Sequence, residues 1–370
     1  MKNKVASGII IGGGVTGFSI AYNLAKRGVK ITLLEQSYPG YGSSGRCAGG
    51  IRSQWSKEHE IVLASESVKI LETLSAKLGY NILFRQGGYL ILAEDEATLK
   101  SLTNDAQIQR RLGVKTEILT KERVKKMLPF IKTSRIVGGT FTRKDGVCHP
   151  FALLNGYKYG FKTLEGEILK FTKAEGLVVR GDEVKSVKTR EKTIEADFVV
   201  VAAGAYSKDL LKTIGINIPS KVFKAEILAT EPLRAFLKPM VTCMPSTLYF
   251  NQSLKSEVVG GMFEPLNEGY SLESSLEFLR NFSKKIMMIA PSLGHVNILR
   301  AWAGLIEFSP DESPIYGETE IDNLYVACAD SGKAFTFAPK VGELFAELII
   351  KNRTNPSLSR FSLKRFEKAA

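Results

Sequence analysis

Three glycines near the start of the 370-residue chain, Gly12, Gly14 and Gly17, stand in GxGxxG spacing, and glycines so spaced at a strand-to-helix junction bind phosphates. The first permits a tight turn, the second lets a pyrophosphate approach the backbone, and the third lets the helix pack closely on the strand. The helix then turns its first N–H groups and the positive end of its dipole toward the phosphates. Glu35 follows Gly17 by eighteen residues, where a carboxylate can accept hydrogen bonds from an adenosine ribose. A glycine triplet alone is weak evidence. Here strand, helix, second strand and acid agree, so a dinucleotide is expected, although the spacing does not choose between NAD and FAD.

The elements that must hold these residues are legible nearby. Ser7 to Ile11 is a short apolar run ending in glycines, as in a buried parallel strand; Val15 to Lys26 has helical spacing ended by Gly28, and Lys30 to Leu34 completes a βαβ unit. A second helix is expected from Glu58 to Leu78, with Ile61, Ala64, Val68, Leu71, Leu74 and Leu78 on one core-facing stripe and Gly79 as its cap. Beyond Phe84 come an apolar strand at Gly88 to Ala93, a helix at Glu96 to Arg111 and an extended stretch at Lys115 to Leu119. Two strands are expected between Lys185 and Ala202, the second being Phe198 to Val201. Val222 to Met262 reads as a second sheet. The strand Leu324 to Cys328, a glycine turn at Gly332 and a helix from Pro339 to Ile350 return to the nucleotide fold.

Other chemistries find little support. The four cysteines, Cys47, Cys148, Cys243 and Cys328, show no CxxC spacing, so neither a zinc site nor a disulfide framework nor an iron–sulfur centre is expected, and reducing cytoplasm fits best. His59, His149 and His295 fall into no triad order and are read as structural. The +13 net charge is scattered over the chain without interleaved aromatics, against a nucleic-acid partner. Glycines interrupt the apolar stretch from Val5 to Leu24, and no segment reaches membrane-spanning length.

Further segments occur in order: Gly42-Ser-Ser-Gly-Arg-Cys-Ala-Gly-Gly-Ile-Arg52, Arg85-Gln-Gly-Gly-Tyr-Leu90, Asp145-Gly-Val-Cys-His-Pro150, Val199-Val-Val-Ala-Ala-Gly-Ala205, Trp302-Ala-Gly-Leu305 with Pro310-Asp311 and Pro314, and Ser331-Gly332 leading to Ala338-Pro339. Together they resemble the D-amino-acid oxidase superfamily of flavoproteins over nearly the whole chain. Within it they are most similar to the sarcosine oxidase β-subunit and dye-linked L-proline dehydrogenase branch, with glycine oxidase a further relative. The resemblance implies an α/β architecture: an FAD-binding Rossmann-like domain of GR2 type, over 1–84, 146–220 and 315–370, interleaved with a mainly antiparallel substrate-domain sheet over 85–145 and 221–314.

It also implies a cofactor site. Gly12, Gly14, Gly17, Glu35 and Gln36 take the ADP half of FAD, Ser43, Ser44 and Arg46 the pyrophosphate and ribityl region, and Val184 the adenine edge. Ala203 and Gly204 follow the strand beneath the cofactor, and Gly332, Lys333, Ala334, Phe335 and Thr336 lie near the isoalloxazine. Arg52 matches the arginine that grips substrate carboxylate in sarcosine-oxidase-like relatives, and its fork suits a carboxylate; a structural salt bridge is the alternative. Tyr249 and Trp302 serve either as aromatic walls of the substrate pocket or as core.

The chain departs from its relatives at three places. Ile306 replaces an arginine of the glycine and D-amino-acid oxidases, and Lys333 replaces the histidine of a Gly-His-Gly-Phe turn, where a cation stabilises anionic reduced flavin. No cysteine lies between Val296 and Ala327 to attach the flavin, and Val258 and Val259 stand where the monomeric sarcosine oxidases carry an oxygen-activating lysine. The expected function is oxidation of the C–N bond of a small amino acid or secondary amine by hydride transfer to N5 of non-covalent FAD, giving an imine. A dehydrogenase is favoured over an oxidase, with electrons passing to a partner subunit or a dye-like acceptor in a homo- or hetero-oligomer. No metal is expected. The competing readings are an NAD-dependent dehydrogenase and an assembly protein with structural FAD.

Overall fold

Short runs of β-branched residues with no polar alternation fold as parallel strands covered on both faces. In the computed structural model, which describes residues 7–263, 268–351 and 355–369, such runs build a six-stranded sheet. Its order is Ile315–Glu318, Leu324–Cys328, Phe198–Val201, Ser7–Ile11, Lys30–Leu34, Glu167–Leu169, all parallel except the antiparallel edge strand Ile315–Glu318. Gly8 stands opposite Phe198 and Ile31, and a Cβ on Gly8 would meet the Phe198 ring at 2.1 Å. Val5, at the head of the first apolar stretch, lies outside the described residues, as do 1–4, 6 and 370 at the ends of the expected nucleotide domain.

Helices Val15–Ala25, Glu58–Leu78, Pro150–Thr163 and Ala334–Lys351 cover one face, burying Phe18, Leu71, Tyr157, Phe161, Phe337 and Phe345 in one cluster. The Glu58–Leu78 helix presents the expected stripe and stops at Gly79, whose φ of 61° makes the left-handed cap. A three-stranded sheet, Ala174–Arg180, Glu183–Thr189 and Thr193–Glu195, covers the other face with the helix Ser207–Lys212. Two of its strands, Ala174–Arg180 and Thr193–Glu195, go beyond the sequence expectation of one strand between Lys185 and Phe198; in the latter only Ile194 among three residues is apolar.

The C-terminal helix begins at Ala334, five residues before the expected start, with Pro339 inside it. A proline often opens a helix. Here it removes one hydrogen bond early in the helix, and burial of Phe335, Phe337, Ala338 and Val341 offsets that loss. The helix N-terminus is thereby set beside the glycine turn at Gly332.

The second sheet has eight strands, in the order Ile298–Phe308, Lys221–Pro232, Glu257–Met262, Tyr249–Gln252, Met240–Met244, Tyr89–Ala93, Gly138–Thr142, Thr116–Leu119. All neighbours are antiparallel except Met240–Met244 and Tyr89–Ala93. Helices Glu96–Arg111, Lys121–Met127 and Leu276–Ile289 lie on it, Phe278, Phe282, Ile286 and Ile289 closing the core against Phe250 and Leu228. A small sheet of Gly50–Ile51, Gly146–Cys148 and Phe84–Arg85 lies between the two. Among the described residues no helix is long and apolar enough to cross a membrane.

Candidate active site

The first βαβ turn is built almost wholly from backbone. Gly12 has φ of 118°, and a Cβ there would stand 2.2 Å from the Ala202 carbonyl oxygen; a Cβ on Gly17 would stand 2.0 Å from the Gly12 carbonyl oxygen. Both positions therefore exclude any side chain, one for the turn and one for helix packing. Glu35 closes the turn from the neighbouring strand: Gly13 N–H donates to one carboxylate oxygen at 2.8 Å and Ser37 N–H to the other at 2.8 Å. Burial nevertheless pushes the Glu35 carboxyl above the usual range, the two donors only partly opposing it.

From this turn a cavity of about 680 Å³ runs between the two sheets. Gly12, Gly14, Glu35, Gln36, Ser43, Ser44, Arg46, Ala203, Gly204, Tyr249, Gly332, Ala334 and Phe335 all line it. The helix N-terminus at Ala334 thus faces into it, where unpaired N–H groups favour anionic ligand atoms. Ser44 Oγ accepts from Val15 N–H at 3.0 Å, and Ser43 Oγ donates to the Leu305 carbonyl. Arg46 donates to the Tyr41 carbonyl at 2.9 Å and the Ala303 carbonyl at 3.2 Å, so it clamps the Ser43–Arg46 helix to the second sheet.

Six of the expected residues do not line the cavity. Gly17 packs beneath it. Val184 is fully buried with Leu177 and Val187 and is bonded through its backbone to Asn323, so it does not form the expected edge. The wall beside Glu35 is instead Thr172, Lys173, Ala174 and Glu175, placed there when Thr172 N–H donates to the Glu35 carbonyl at 2.8 Å. Trp302 donates its indole N–H to the Arg46 carbonyl at 2.9 Å, a structural bond rather than a pocket wall. Thr336 accepts from Arg52 N–H at 3.2 Å.

Lys333 turns away from the cavity. Its ammonium pairs with Glu60 at 3.1 Å and donates to the Glu312 carbonyl, with the side chain 8% and that of Glu60 2% exposed. Burial lowers the Lys333 pKa, and the Glu60 charge opposes this. Lys333, expected near the isoalloxazine, does not line the cavity; its buried ammonium is paired with Glu60 instead.

Arg52 is held differently. Its guanidinium carbon lies 3.7 Å from the Trp55 ring centroid and 5.7 Å from that of Tyr89, a cavity wall. Among the described residues it makes no ion pair, against the salt-bridge alternative. Stacking leaves the N–H edge of the fork open to an anion. Tyr249 lines the cavity with Met240 and Tyr89, and burial raises its phenol pKa.

Two acids of the cavity wall, Glu307 buried and Asp330 half-buried, were not expected from the sequence. Glu307 accepts from Ser220 Oγ at 2.6 Å and Ala329 N–H at 2.8 Å, and burial pushes its carboxyl up to about 7. Asp330 accepts from Tyr316 and is pushed up to about 6, again by burial. Asp330 stands directly before the Ser331-Gly332 turn, a signal the sequence held. Glu307 follows Ile306 on a strand and carries none. Cys47 also lines the cavity; its thiol, bonded to the Ser44 carbonyl at 3.3 Å, is pushed up to about 12 by burial. His149 accepts from Ala152 N–H at 3.3 Å as the cap of the Pro150–Thr163 helix, the structural role expected of it. Among the described residues no cluster of metal-ligating side chains occurs.

Residues 9–348 match the DAO family model, described as FAD dependent oxidoreductase. The chain belongs to that family. FAD is therefore its cofactor and the chain is a flavin oxidoreductase, which sets aside the nicotinamide alternative. The chain is 29% identical over 367 residues to the sarcosine oxidase subunit beta of Rhizobium meliloti (strain 1021), covering 97% of this chain and 88% of that one. The crystal structure of L-proline dehydrogenase from P. horikoshii superposes with a TM-score of 0.94 at 32% identity, covering 99% of each chain. Glycine oxidase from Geobacillus kaustophilus shares the fold, with a TM-score of 0.90 at 23% identity over 97% of this chain and 99% of that one.

Proposed function

We propose that this chain oxidises the C–N bond of a small secondary amino acid, proline- or sarcosine-like, using non-covalent FAD, and passes the electrons to a protein or dye-like acceptor rather than to oxygen. The observation that carries the reading is Arg52: a cation with no ion pair among the described residues, stacked on Trp55 and Tyr89 two residues beyond the cavity wall at Gly50. An assembly protein has no use for such a group. Similarity to L-proline dehydrogenase and sarcosine oxidase subunit beta supports the same substrate class.

The cavity fits the cofactor by its own features: a side-chain-free turn, a ribose-facing carboxylate and a helix N-terminus at opposite walls. Gly12, Gly14, Glu35 and Gln36, with Thr172 to Glu175, hold the ADP half, Ser43, Ser44 and Arg46 the middle, and Gly332, Ala334 and Phe335 the ring end. FAD supplies a two-electron acceptor for the substrate C–H. Arg52 anchors the substrate carboxylate and Tyr89, Met240 and Tyr249 exclude water; the neutral amine, on losing hydride from its α-carbon, becomes an iminium that releases its N–H proton to solvent to leave as the imine. Non-covalent attachment agrees with a Cys47 thiol held in its protonated form. The interleaved domain division, a partner subunit and a cytoplasmic location, which the four free cysteines support, belong to the same reading.

Anaerobic spectra of the purified holoprotein test it, with sarcosine, L-proline, D-proline, glycine and D-alanine added in turn. Bleaching of the flavin band by L-proline or sarcosine is expected, with reoxidation by dye faster than by air. Bleaching by none of the five would overturn the reading.

A further inference from the structure

The Asp145-Gly segment plays no part in the reaction as described above, yet its carboxylate is fully buried and faces the residue next to Arg52. Ser53 N–H donates to one Asp145 oxygen at 2.9 Å and Ser53 Oγ to the other at 2.6 Å. The Asp145 carbonyl accepts from Gly88 N–H at 3.0 Å, directly before Tyr89. Gly146 pairs with Ile51 in the small sheet. One residue thus ties both strands that carry the Arg52 seat: the strand entering Arg52 and the strand entering Tyr89.

The surrounding bonds run outward from this point. Gln54 donates to the Tyr89 carbonyl at 2.8 Å, the Trp55 indole donates to the Arg52 carbonyl at 2.8 Å, and Gln109 donates to the Trp55 carbonyl at 2.8 Å. Arg52 and Asp145 make no ion pair with each other. The carboxylate is spent on Ser53, and the Arg52 fork stays open while its backbone is fixed on three sides. A direct Arg52–Asp145 pair would have consumed the cation. A loop without a partner for Ser53 would have left it free to leave the rings.

We propose that Asp145 is a positioning residue: through Ser53 it sets the bend after Arg52, holding the guanidinium against Trp55 and Tyr89, available to a substrate carboxylate. The proposal rests on the function assigned to Arg52 above, and its test separates the two. In the holoprotein, phenylglyoxal modification of Arg52 is followed by peptide mass spectrometry in wild type, D145A, D145N and S53A. Binding of cyclopentanecarboxylate, an acid without the amine, and of pyrrolidine, an amine without the acid, is followed by flavin difference spectra.

In D145A, Arg52 reacts at least fivefold faster than in wild type, cyclopentanecarboxylate binds at least tenfold more weakly, and pyrrolidine binds within twofold of wild type. D145N, whose amide still bonds Ser53 N–H and Oγ, stays within threefold in every measurement. S53A, which keeps the N–H bond and loses the other, falls between and covers the case in which D145A does not fold. Wild-type Arg52 reactivity in both D145A and S53A overturns the proposal, as does equal loss of both ligands, the mark of a merely structural role. If cyclopentanecarboxylate fails to protect Arg52 in the wild type, the function assigned to Arg52 is wrong, and the reaction rates still decide the role of Asp145.

Discussion

The two ends of the cavity are built on opposite principles. At the Gly12–Gly17 end the working atoms are backbone N–H groups, and side chains matter by their absence: a Cβ on Gly12 or Gly17 would collide with a carbonyl oxygen. At the other end, the groups proposed to act are side chains gathered from distant segments: Tyr89 and Tyr249 of the second sheet on the cavity wall, with Arg52 and Trp55 of one loop just beyond it. A backbone site tolerates no substitution but needs few supporting contacts. A side-chain site survives many substitutions but depends on each support that fixes a rotamer.

The sharpest way to break the contrast is Gly12→Val. Steric overlap at a position with φ of 118° is expected to abolish FAD retention, seen as loss of flavin absorbance after purification. A variant that keeps full flavin content would show that the turn can relax, and that the first end is no more rigid than the second.

Lys333→Met comes next. Removing the ammonium leaves the Glu60 charge buried without its partner, so a loss of about 3 kcal/mol is expected in denaturant unfolding, with the K333M/E60L double variant recovering most of it. An unchanged stability together with a large change in flavin redox potential would place Lys333 at the flavin after all.

Arg52→Ala is expected to lower kcat/KM for the amino-acid substrate by roughly a hundredfold, about 2.7 kcal/mol, at equal flavin content. Glu35→Gln is expected to weaken FAD by roughly tenfold, because an amide can still accept one backbone N–H but not two with the same charge. Fluorescence of released flavin on dilution measures it.

The smallest effect is on pH. Glu307 and Asp330 have carboxyls raised to about 7 and about 6, above the range of the unfolded chain. The native state therefore holds more protons than the unfolded state between about pH 4 and 7, and stability falls as pH rises through that window. The E307Q and D330N variants should flatten this slope in melting temperatures taken from pH 4.5 to 8. An unaltered slope would mean that neither acid is desolvated as described.

The same contrast explains what was legible in the sequence. The glycine turn, its two strands, the Glu58–Leu78 helix and the acid at position 35 are local patterns with a steric cause, and the structure shows each of them. Arg52 was visible as a residue type, but the rings that seat it, Trp55 and Tyr89, come together only through the small sheet between the two larger ones. Lys333 was misplaced because its partner, Glu60, lies on a helix 273 residues earlier in the chain. Val184 was misplaced because the cavity wall comes from Thr172 to Glu175, whereas the Val184 side chain packs with Leu177, Val187 and the central sheet. Glu307 sits between Ile306 and Phe308 on a strand, and only burial against Ser220 and Ala329 marks it out.

The central claim is that Arg52 is the carboxylate anchor of a flavin amine dehydrogenase. Its most direct test is the anaerobic reductive half-reaction with L-proline and with sarcosine, in wild type and Arg52→Ala at equal flavin content. The account predicts bleaching of the wild-type flavin by at least one of the two, and a roughly hundredfold slower or absent bleaching in the variant. Equal bleaching rates in the two proteins would contradict it.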